Sequence, residues 1–326
     1  MQEVETLDFD NTFSILDNYG ENLTDKVYNT NPAISRDEEI KRLTIILLTP
    51  DKSALLVGKA GIGKTAIVEG LAYKIKNNTV PDVLKGYKIY KISATSLLGK
   101  IDTNGREELV ISKLLKELQN KSNIIVFIDE IHTLMGGAND GPLDLANILK
   151  PALDRGSIKL VGATTEEEYL TYVIKDRAFL RRFDKIDVLE PSRDTTIDIL
   201  EKSLPRYEAQ TGIKFKYNHY ITHLLIESIV DATSEFKRVY GLAAMYPDVS
   251  FSILSQAFSN ALYENKKEVD IYDVYNAIRN SKRIYPDSVY KELIQFKNKF
   301  KDLCEEENIY LEDVKLEDIK NNEENY

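Results

Sequence analysis

Apolar and polar positions follow two different periods along this chain, and the change between them marks its organisation. Residues 36–48 (RDEEIKRLTIILL) begin charged and turn apolar at helical spacing, which predicts a helix. Ser53–Val57 is a short apolar run that stops at Gly58 and reads as a buried strand. In Thr65–Lys76, the side chains of Ile67, Leu71, Ala72 and Ile75 share one helical face. Tyr87–Ile92 reads as a strand, Glu107–Leu118 as a helix, and Asn123–Ile128 as a fully buried strand. Leu143–Leu153 then reads as a helix and Ile158–Gly162 as a strand. This alternation predicts an α/β unit around a parallel sheet. After Pro191 the character changes, and segments near 194–210, 218–232, 250–264 and 270–281 all read as helices. They predict a smaller, all-helical unit.

The ends of the chain are less regular. Residues 1–30 are polar, with scattered aromatics and no strong period. Residues 301–326 hold ten Asp or Glu against three Lys and read as a solvated, partly disordered tail. The expected division is a linker at 1–30, an α/β domain at 31–191, a helical domain at 192–283, and a helix with an acidic tail at 284–326.

Two motifs give the α/β half its candidate chemistry. Residues 58–65 read G-K-A-G-I-G-K-T and fit the phosphate-binding pattern G-x-x-x-x-G-K-[ST] in full. Gly58, Gly61 and Gly63 let the backbone fold tightly, so that the N–H groups from Gly58 through Lys59, Ala60, Ile62 and Gly63 point at phosphate oxygens. Lys64 is the point charge for the β/γ-phosphates, and the Thr65 hydroxyl is the candidate Mg²⁺ ligand. The helix that starts here turns its positive end toward the anion. The strand before the loop and the helix after it are the context the motif needs. The second motif is I-I-V-F-I-D-E at 124–130. It delivers two carboxylates to the end of a buried strand, where α/β folds bind ligands. Asp129 is expected to orient the metal's water shell, and Glu130 to act as general base on the attacking water. An apolar run ending in two acids is weak evidence alone. A P-loop about sixty residues upstream makes it strong.

Charge and composition narrow the class further. The 326 residues are 43% hydrophobic, ample for a core. A formal net charge of −10, from 53 acidic and 43 basic side chains, argues against a non-specific nucleic-acid binder. The single cysteine, Cys304, excludes an internal disulfide framework and fits a reducing compartment. No apolar run is long enough to span a bilayer, and the acidic N-terminus MQEVETLDFD lacks a signal-peptide core. A cytoplasmic protein without membrane partners is expected.

With those motifs in hand, the sequence resembles the first ATPase module of the Clp unfoldases and disaggregases (the ClpA/ClpB/ClpC family), a branch of the AAA+ superfamily. The likeness covers roughly residues 19–283 and is carried by NPAISRDEEIKR, GKAGIGKTAIVEGLA, VPDVLKG, VFIDEIHTL, NILKPALDRG, VGATTEEEY and LRRFDKIDVLEPS. It implies an AAA+ fold, a P-loop sheet domain followed by a helical lid, that binds and hydrolyses Mg-ATP. It also implies a ring, a hexamer in the family, that threads a protein substrate through its pore. Residue roles follow by match. Thr165 falls at the family's sensor-1 position. Arg181 and Arg182 match its arginine fingers, which act on the neighbouring subunit's nucleotide; without the match they read as a solvated basic pair. Ile34 falls where the family lines the adenine pocket, and an ordinary packing residue is the equal alternative.

Several departures qualify the resemblance. The chain carries one P-loop, no inserted coiled coil and no N-terminal adaptor domain. The loop by which family members dock on the ClpP peptidase belongs to the second module, so the sequence argues against ClpP as a partner. At the first pore loop, 98–106 (LGKIDTNGR), the family's aromatic is missing, and Ile101 is the one candidate apolar grip. The second pore loop is expected at 136–142 (GGANDGP). The family's Leu-Pro-Asp-Lys in the lid appears as Tyr246-Pro247-Asp248-Val249, so its lysine is gone. Remodelling of a protein substrate is the leading reading. An ATP-gated assembly or regulatory scaffold without threading is the alternative. A nucleic-acid loader is disfavoured by charge, and a non-hydrolysing subunit by the intact Lys64, Thr65, Asp129, Glu130 and Arg182.

The remaining candidates read as structural. His219 and His223 stand at i,i+4 without a third ligand at metal-site spacing, and His132 in DEIHT is expected to be structural. The nineteen tyrosines lack the basic interleaving of a nucleic-acid platform. Neighbouring acids disfavour a thiolate at Cys304.

Overall fold

The protein is represented by a computed structural model that describes residues 14–103, 106–135, 148–149, 158–240, 245–317 and 319. The chain divides between two compact units. The first takes the described residues up to Tyr28, together with Arg36–Gly58 and those of Lys64–Val188. The second takes Asn29–Ser35, Lys59–Gly63 and the described residues from Leu189 onward. Among the described residues no helix is long and apolar enough to cross a membrane.

In chain order, the first unit runs α1 (Ile15–Tyr19), β1 (Gly20–Asn22), α2 (Asp37–Leu48), β2 (Ser53–Val57), α3 (Lys64–Lys76), β3 (Lys88–Ser93) and α4 (Ala94–Leu98). It continues with β4 (Lys100–Thr103), β5 (Arg106–Leu109), α5 (Val110–Asn120), β6 (Ile124–Asp129) and β7 (Lys159–Thr164). It ends with α6 (Glu166–Glu168), a π-turn at Tyr169–Val173, α7 (Arg177–Leu180) and β8 (Phe183–Asp187). Six strands form one sheet in the order β1-β3-β6-β7-β2-β8. All neighbours are parallel except β1, which pairs antiparallel with β3 at the edge. The central strands explain their own composition. Every residue of β2 is buried, as are Ile125–Ile128 of β6, so neither strand alternates. Both faces are covered, and a continuous apolar run is the sequence mark of that position. Gly162 of β7 is required by this packing: a β-carbon there would lie 2.8 Å from Ile131 Cδ1 and 3.0 Å from Leu55 Cδ1.

Two local differences from the sequence pattern have clear causes. The helix expected over 107–118 begins only at Val110, because Arg106–Leu109 pairs with Lys100–Thr103 in an antiparallel hairpin. Glu107 binds Lys100 at 2.9 Å and Glu108 binds Lys116 at 2.5 Å, while the apolar face of α5 opens with Val110 and Ile111. Near the N-terminus, the aperiodic stretch contains α1 and β1. Ile15 and Leu16 anchor it in the first unit's apolar core, and Ser14 Oγ and the Ile15 N–H donate to the Glu117 carboxylate at 2.5 and 2.6 Å. Of the helix expected at Leu143–Leu153, all but two residues lie outside the described ones, as do residues 136–142.

The second unit contains α8 (Arg193–Thr211), β9 (Lys214–Phe215), α9 (His219–Ala232), α10 (Asp248–Tyr263), β10 (Glu268–Val269), α11 (Ile271–Arg279), α12 (Pro286–Lys299) and α13 (Lys301–Glu307). Among its described residues helices predominate, with a two-residue parallel pairing of β9 with β10 and a single antiparallel bridge between Arg238 and Ile284. Polar caps set the helix ends. Ser192 Oγ accepts from Thr195 N at 3.2 Å to start α8, and Asp270 and Asp273 form a reciprocal capping box at α11. Leu200, Leu225, Ile229, Leu254, Phe258 and Tyr275 are central to a continuous apolar core.

The acidic C-terminal stretch is not the solvated tail that its charge predicts. Residues 301–307 are helical, and Leu311 and Ile319 are buried in the second unit's core. Lys297 Nζ donates to the Leu311 carbonyl, and Tyr275 Oη to the Glu312 carbonyl, both at 2.8 Å. A few inward apolar residues dock the segment; Glu307 pairs with Lys216 and Glu312 with Arg279, both of the second unit. The last residues, 320–326, lie outside the described ones.

A charge cluster ties α12 to α8 and α9. Arg193 Nη2 donates to Glu227 Oε1 at 2.8 Å, and Lys299 Nζ donates to Glu227 Oε2 at 2.7 Å. Hydrogen bonds from Lys299 and then Arg193 hold the Glu227 carboxyl down at about 2, from an ordinary 4.5. A carboxylate depressed in the fold stabilises it above the unfolded-state value and loses that contribution as pH falls through the folded one. Glu227→Gln is therefore expected to lower the urea midpoint at neutral pH, with the deficit shrinking between about 4.5 and 2. A deficit that stays constant across that window contradicts the assignment.

Candidate nucleotide site

β2 ends at Val57, the loop follows, and α3 starts at Lys64. Gly61 and Gly63 hold φ of 76° and 97°, in the left-handed region where a side chain is strained. Gly61 is also crowded: a β-carbon on it would lie 2.8 Å from Asp248 Cβ. Gly58 and Ile62 are buried, while Lys59, Ala60 and Gly61 are exposed. Lys64 Nζ curls back over the loop and donates to the Gly58 carbonyl at 2.7 Å. Burial pushes the Lys64 ammonium down, against a smaller upward pull from Asp129, Glu168 and Glu130.

Thr65 and Asp129 converge. Thr65 Oγ1 donates to Asp129 Oδ2 at 3.0 Å. The sheet order makes this possible, since β2 and β6 are separated only by β7 and both run toward the same edge. Asp129 Oδ1 accepts from the Glu130 N–H at 3.2 Å. A third neighbour is not evident from the sequence: Lys91 Nζ lies 3.6 Å from Asp129 Oδ2 and 5.8 Å from the Phe127 ring centre. Its one signal is a lysine in the middle of a strand with buried neighbours, K-I-Y-K-I-S.

Glu130 is exposed and sits in the left-handed region, at φ 52° and ψ 43°. For a residue with a β-carbon that conformation is costly. It turns the chain sharply from β6 into the 3₁₀ turn Ile131–Leu134, whose Thr133 N and Oγ1 both donate to the Glu130 carbonyl at 3.0 Å. Thr165 caps α6, its Oγ1 accepting from Glu168 N at 3.2 Å. Loop end, acidic pair and Thr165 all lie at the C-terminal ends of their strands.

Arg181 and Arg182 do not join them. They precede β8, whose Phe183 stands opposite Ser53 at the start of β2. The Ser53 N–H donates to the Arg182 carbonyl at 2.8 Å, and Lys52 Nζ to the Arg181 carbonyl at 3.2 Å. A five-residue strand rises about 17 Å, so the pair stands a full strand length from this chain's own phosphate loop. Arg181 is exposed and Arg182 is half-buried. Ile34 lies in the second unit's apolar core at 9% exposure, so it packs there whatever else it touches.

The other sequence candidates are packed or paired elsewhere than the sequence reading has them. Ile101, the candidate grip, is half-buried and packs against the first unit's core, so it does not stand free. Val249, at the place of the family lysine, is fully buried. The preceding Asp248 instead carries a cation from elsewhere in the chain, Arg283 Nη1 at 2.7 Å from Asp248 Oδ2. His223 pairs with Glu201 at 2.7 Å, and no metal-binding group of three His, Cys, Asp or Glu occurs among the described residues. Burial, and then Glu307, push the Cys304 thiol up, away from thiolate.

The chain is similar to several known proteins. Residues 54–190 match the family model described as "ATPase family associated with various cellular activities (AAA)". The chain is 39% identical over 248 residues to the probable ATP-dependent Clp protease ATP-binding subunit of Chlamydia pneumoniae, covering 75% of this chain and 28% of that protein. It is 40% identical over 248 residues to the chaperone protein ClpB of Aquifex aeolicus (strain VF5), covering 75% of this chain and 24% of that protein. Among solved structures, a closed-state Hsp104 reconstruction with ATPyS and FITC casein matches with a TM-score of 0.68 and 34% identity, over 81% of this chain and 45% of that one. The S. cerevisiae Hsp104-ADP complex matches with a TM-score of 0.65 and 31% identity, over 89% of this chain and 49% of that one. The chain therefore spans roughly a quarter of the length of these curated relatives.

The left-handed backbone at Glu130 can be tested apart from its chemistry. Glu130→Gly and Glu130→Ala both remove the carboxylate, but only glycine removes the strain. The glycine variant is expected to be more stable than the alanine variant by about 1 kcal/mol in urea unfolding. An alanine variant of equal or greater stability contradicts the conformation.

Proposed function

With residues 54–190 belonging to the AAA ATPase family, we propose that this protein binds Mg-ATP at residues 58–65 and hydrolyses it within a ring of identical subunits, a hexamer by family resemblance. The cycle remodels a protein substrate in the manner of Clp chaperones. The observation that carries the reading is the 3.0 Å approach of Thr65 Oγ1 to Asp129 Oδ2 beside Lys64. It unites the two motifs at one edge of the sheet.

The residues suit the metal. Thr65 and Asp129 present hard oxygen ligands, and no third carboxylate or histidine completes a protein cage among the described residues. That set fits Mg²⁺, which keeps several waters and takes the rest of its shell from phosphate. Held by Thr65 and Asp129, the ion would neutralise charge on the phosphates. In this chain, Lys64 leaves the Gly58 carbonyl to meet the β/γ-phosphates. The N–H groups of the loop, from Gly58 through Lys59, Ala60, Gly61, Ile62 and Gly63, hold the phosphate oxygens. Glu130 takes the proton of the attacking water, and the Thr165 hydroxyl helps hold that water. Arg181 and Arg182 stand far from their own loop, which supports a role on the neighbouring subunit's nucleotide. Ile34 contributes an apolar contact to adenine. The inward packing of Ile101 favours a dedicated protein partner over a grip on any polypeptide at residues 98–106. ClpP is not among the proposed partners. A cytoplasmic location is the one proposed.

Steady-state ATP hydrolysis over a range of protein concentrations tests the reading. The rate per subunit is expected to rise cooperatively with concentration in the wild type and to vanish in Glu130→Gln. A rate per subunit independent of concentration would remove the ring, and activity surviving in Glu130→Gln would remove the assigned base.

Lys91 gives a second, binding-based test. Its ammonium competes with Mg²⁺ for Asp129, and both side chains are about one-third exposed, so the competition is screened. Lys91→Met is expected to lower the Mg²⁺ concentration that half-saturates binding of a fluorescent ATP analogue, by about threefold. An unchanged or raised requirement counts against the competition.

A further inference from the structure

The turn that carries Glu130 and the segment that carries Thr165 are fastened to each other by groups that take no direct part in hydrolysis. Glu168 Oε2 is the hub. It accepts from the Thr165 N–H at 2.9 Å and from Thr164 Oγ1 at 3.1 Å, and it lies 3.1 Å from His132 Nδ1. The Glu168 N–H in turn donates to Thr165 Oγ1, which completes a capping box. Thr165 is thus held at both its backbone and its side chain by one residue.

His132 connects this box to the acidic pair. It lies two residues after Glu130 in the 3₁₀ turn, and its Nδ1 is also 3.2 Å from Thr164 Oγ1. The Thr164 hydroxyl spends its hydrogen on Glu168, so the contacts are satisfied together only when His132 Nδ1 carries a proton and donates. The ring is fixed on its other side by Tyr172, stacked at 6.0 Å between centroids with a 25° interplanar angle. The His132 side chain is only 14% exposed and Thr164 only 2%. Burial pushes the Glu168 carboxyl up, but hydrogen bonds from Thr165, the nearby His132 and Thr164 outweigh it and leave it below the usual range. The same turn has an apolar anchor one residue earlier, where Ile131 fills the space over Gly162 of β7.

We propose that His132 and Glu168 are positioning residues for hydrolysis: their hydrogen bond fixes the Glu130 turn relative to Thr165, so that the general base and the group holding the water keep one spacing. The inference rests on the proposed ATPase reading. It explains why a base in a strained left-handed conformation does not relax: the turn behind it is bound to the next strand at two successive residues. Misplacing a catalytic group by about 1 Å can cost up to a hundredfold in rate, so a hydrogen bond that sets this spacing has a measurable effect.

The test uses the full chain and three variants. His132→Leu removes the donor and keeps the bulk. His132→Asn keeps an N–H donor near the Nδ1 position. Glu168→Gln keeps the shape and weakens the hub. His132→Leu and Glu168→Gln are expected to lower kcat on the order of tenfold, with KM and the affinity for a fluorescent ATP analogue changed less than about twofold. His132→Asn is expected to recover most of the rate. An unchanged kcat in His132→Leu, a loss seen in KM alone, or an asparagine variant as slow as the leucine variant would each overturn the proposal. A wild type that turns over no ATP would instead sink the ATPase reading. Amide hydrogen exchange then decides the link: faster exchange at both 130–134 and 164–168 in His132→Leu upholds it, and unchanged exchange at 164–168 refutes it.

Discussion

The hydrogen bond from Thr65 Oγ1 to Asp129 Oδ2 joins groups 64 residues apart in sequence across 3.0 Å of space. It exists because the sheet interposes only β7 between β2 and β6 and runs all three strands in parallel. Parallel strands put every C-terminal end at one edge, and α/β sheets bind their ligands there. The order follows from burial. β2 and β6 are too apolar to tolerate an edge position, so the short β1 and the more charged β8 take the outside. Once the core fixes the strand order, the strands that lead to Gly58, to Asp129 and to Thr165 all end on one side of the sheet.

Strain and polar anchoring then refine what the sheet supplies. Glu130 leaves β6 in a left-handed turn, and the turn is secured through Ile131 against Gly162 and through His132 against Glu168 and Thr164. Lys64 bends onto Gly58, and Lys91 stands beside Asp129. Lys64 and Asp129 thus already have partners within the chain. The arginine pair is held at the N-terminal end of β8, where its own backbone is fastened to β2, and it stands away from the site that it resembles a part of.

Much of this organisation is legible in the order of the residues themselves. A P-loop has a fixed spacing and a fully buried strand has an unmistakable run, so α2, β2, α3 and β6 start and stop within a residue or two of their sequence pattern. The helices after Pro191 carry a clear period as well. What the chain's local pattern hides depends on long-range partners. Glu107 and Glu108 favour a helix locally, but pairing with β4 draws them into a hairpin. The edge strand at Gly20–Asn22 has no alternation of its own and is defined by β3. The segment after Lys301 is acidic enough to read as solvated, while the few apolar residues that dock it, such as Leu311, decide its state. Lys91, Glu168 and the left-handed Glu130 matter through neighbours on other strands, which no local pattern encodes. The Thr165-to-Glu168 spacing does carry a capping signal, but its link to His132 needs β6 and β7 to be adjacent.

The most direct test of the central claim is a double-mutant cycle on nucleotide affinity at saturating Mg²⁺, with Thr65→Ala, Asp129→Asn and the two combined. If both side chains serve one metal-nucleotide site, the losses will not add, and the coupling between them will reach about 1 kcal/mol or more. Additive losses, or no loss in either single variant, would show that the two motifs meet in space without sharing a ligand, and the account of this site would fail.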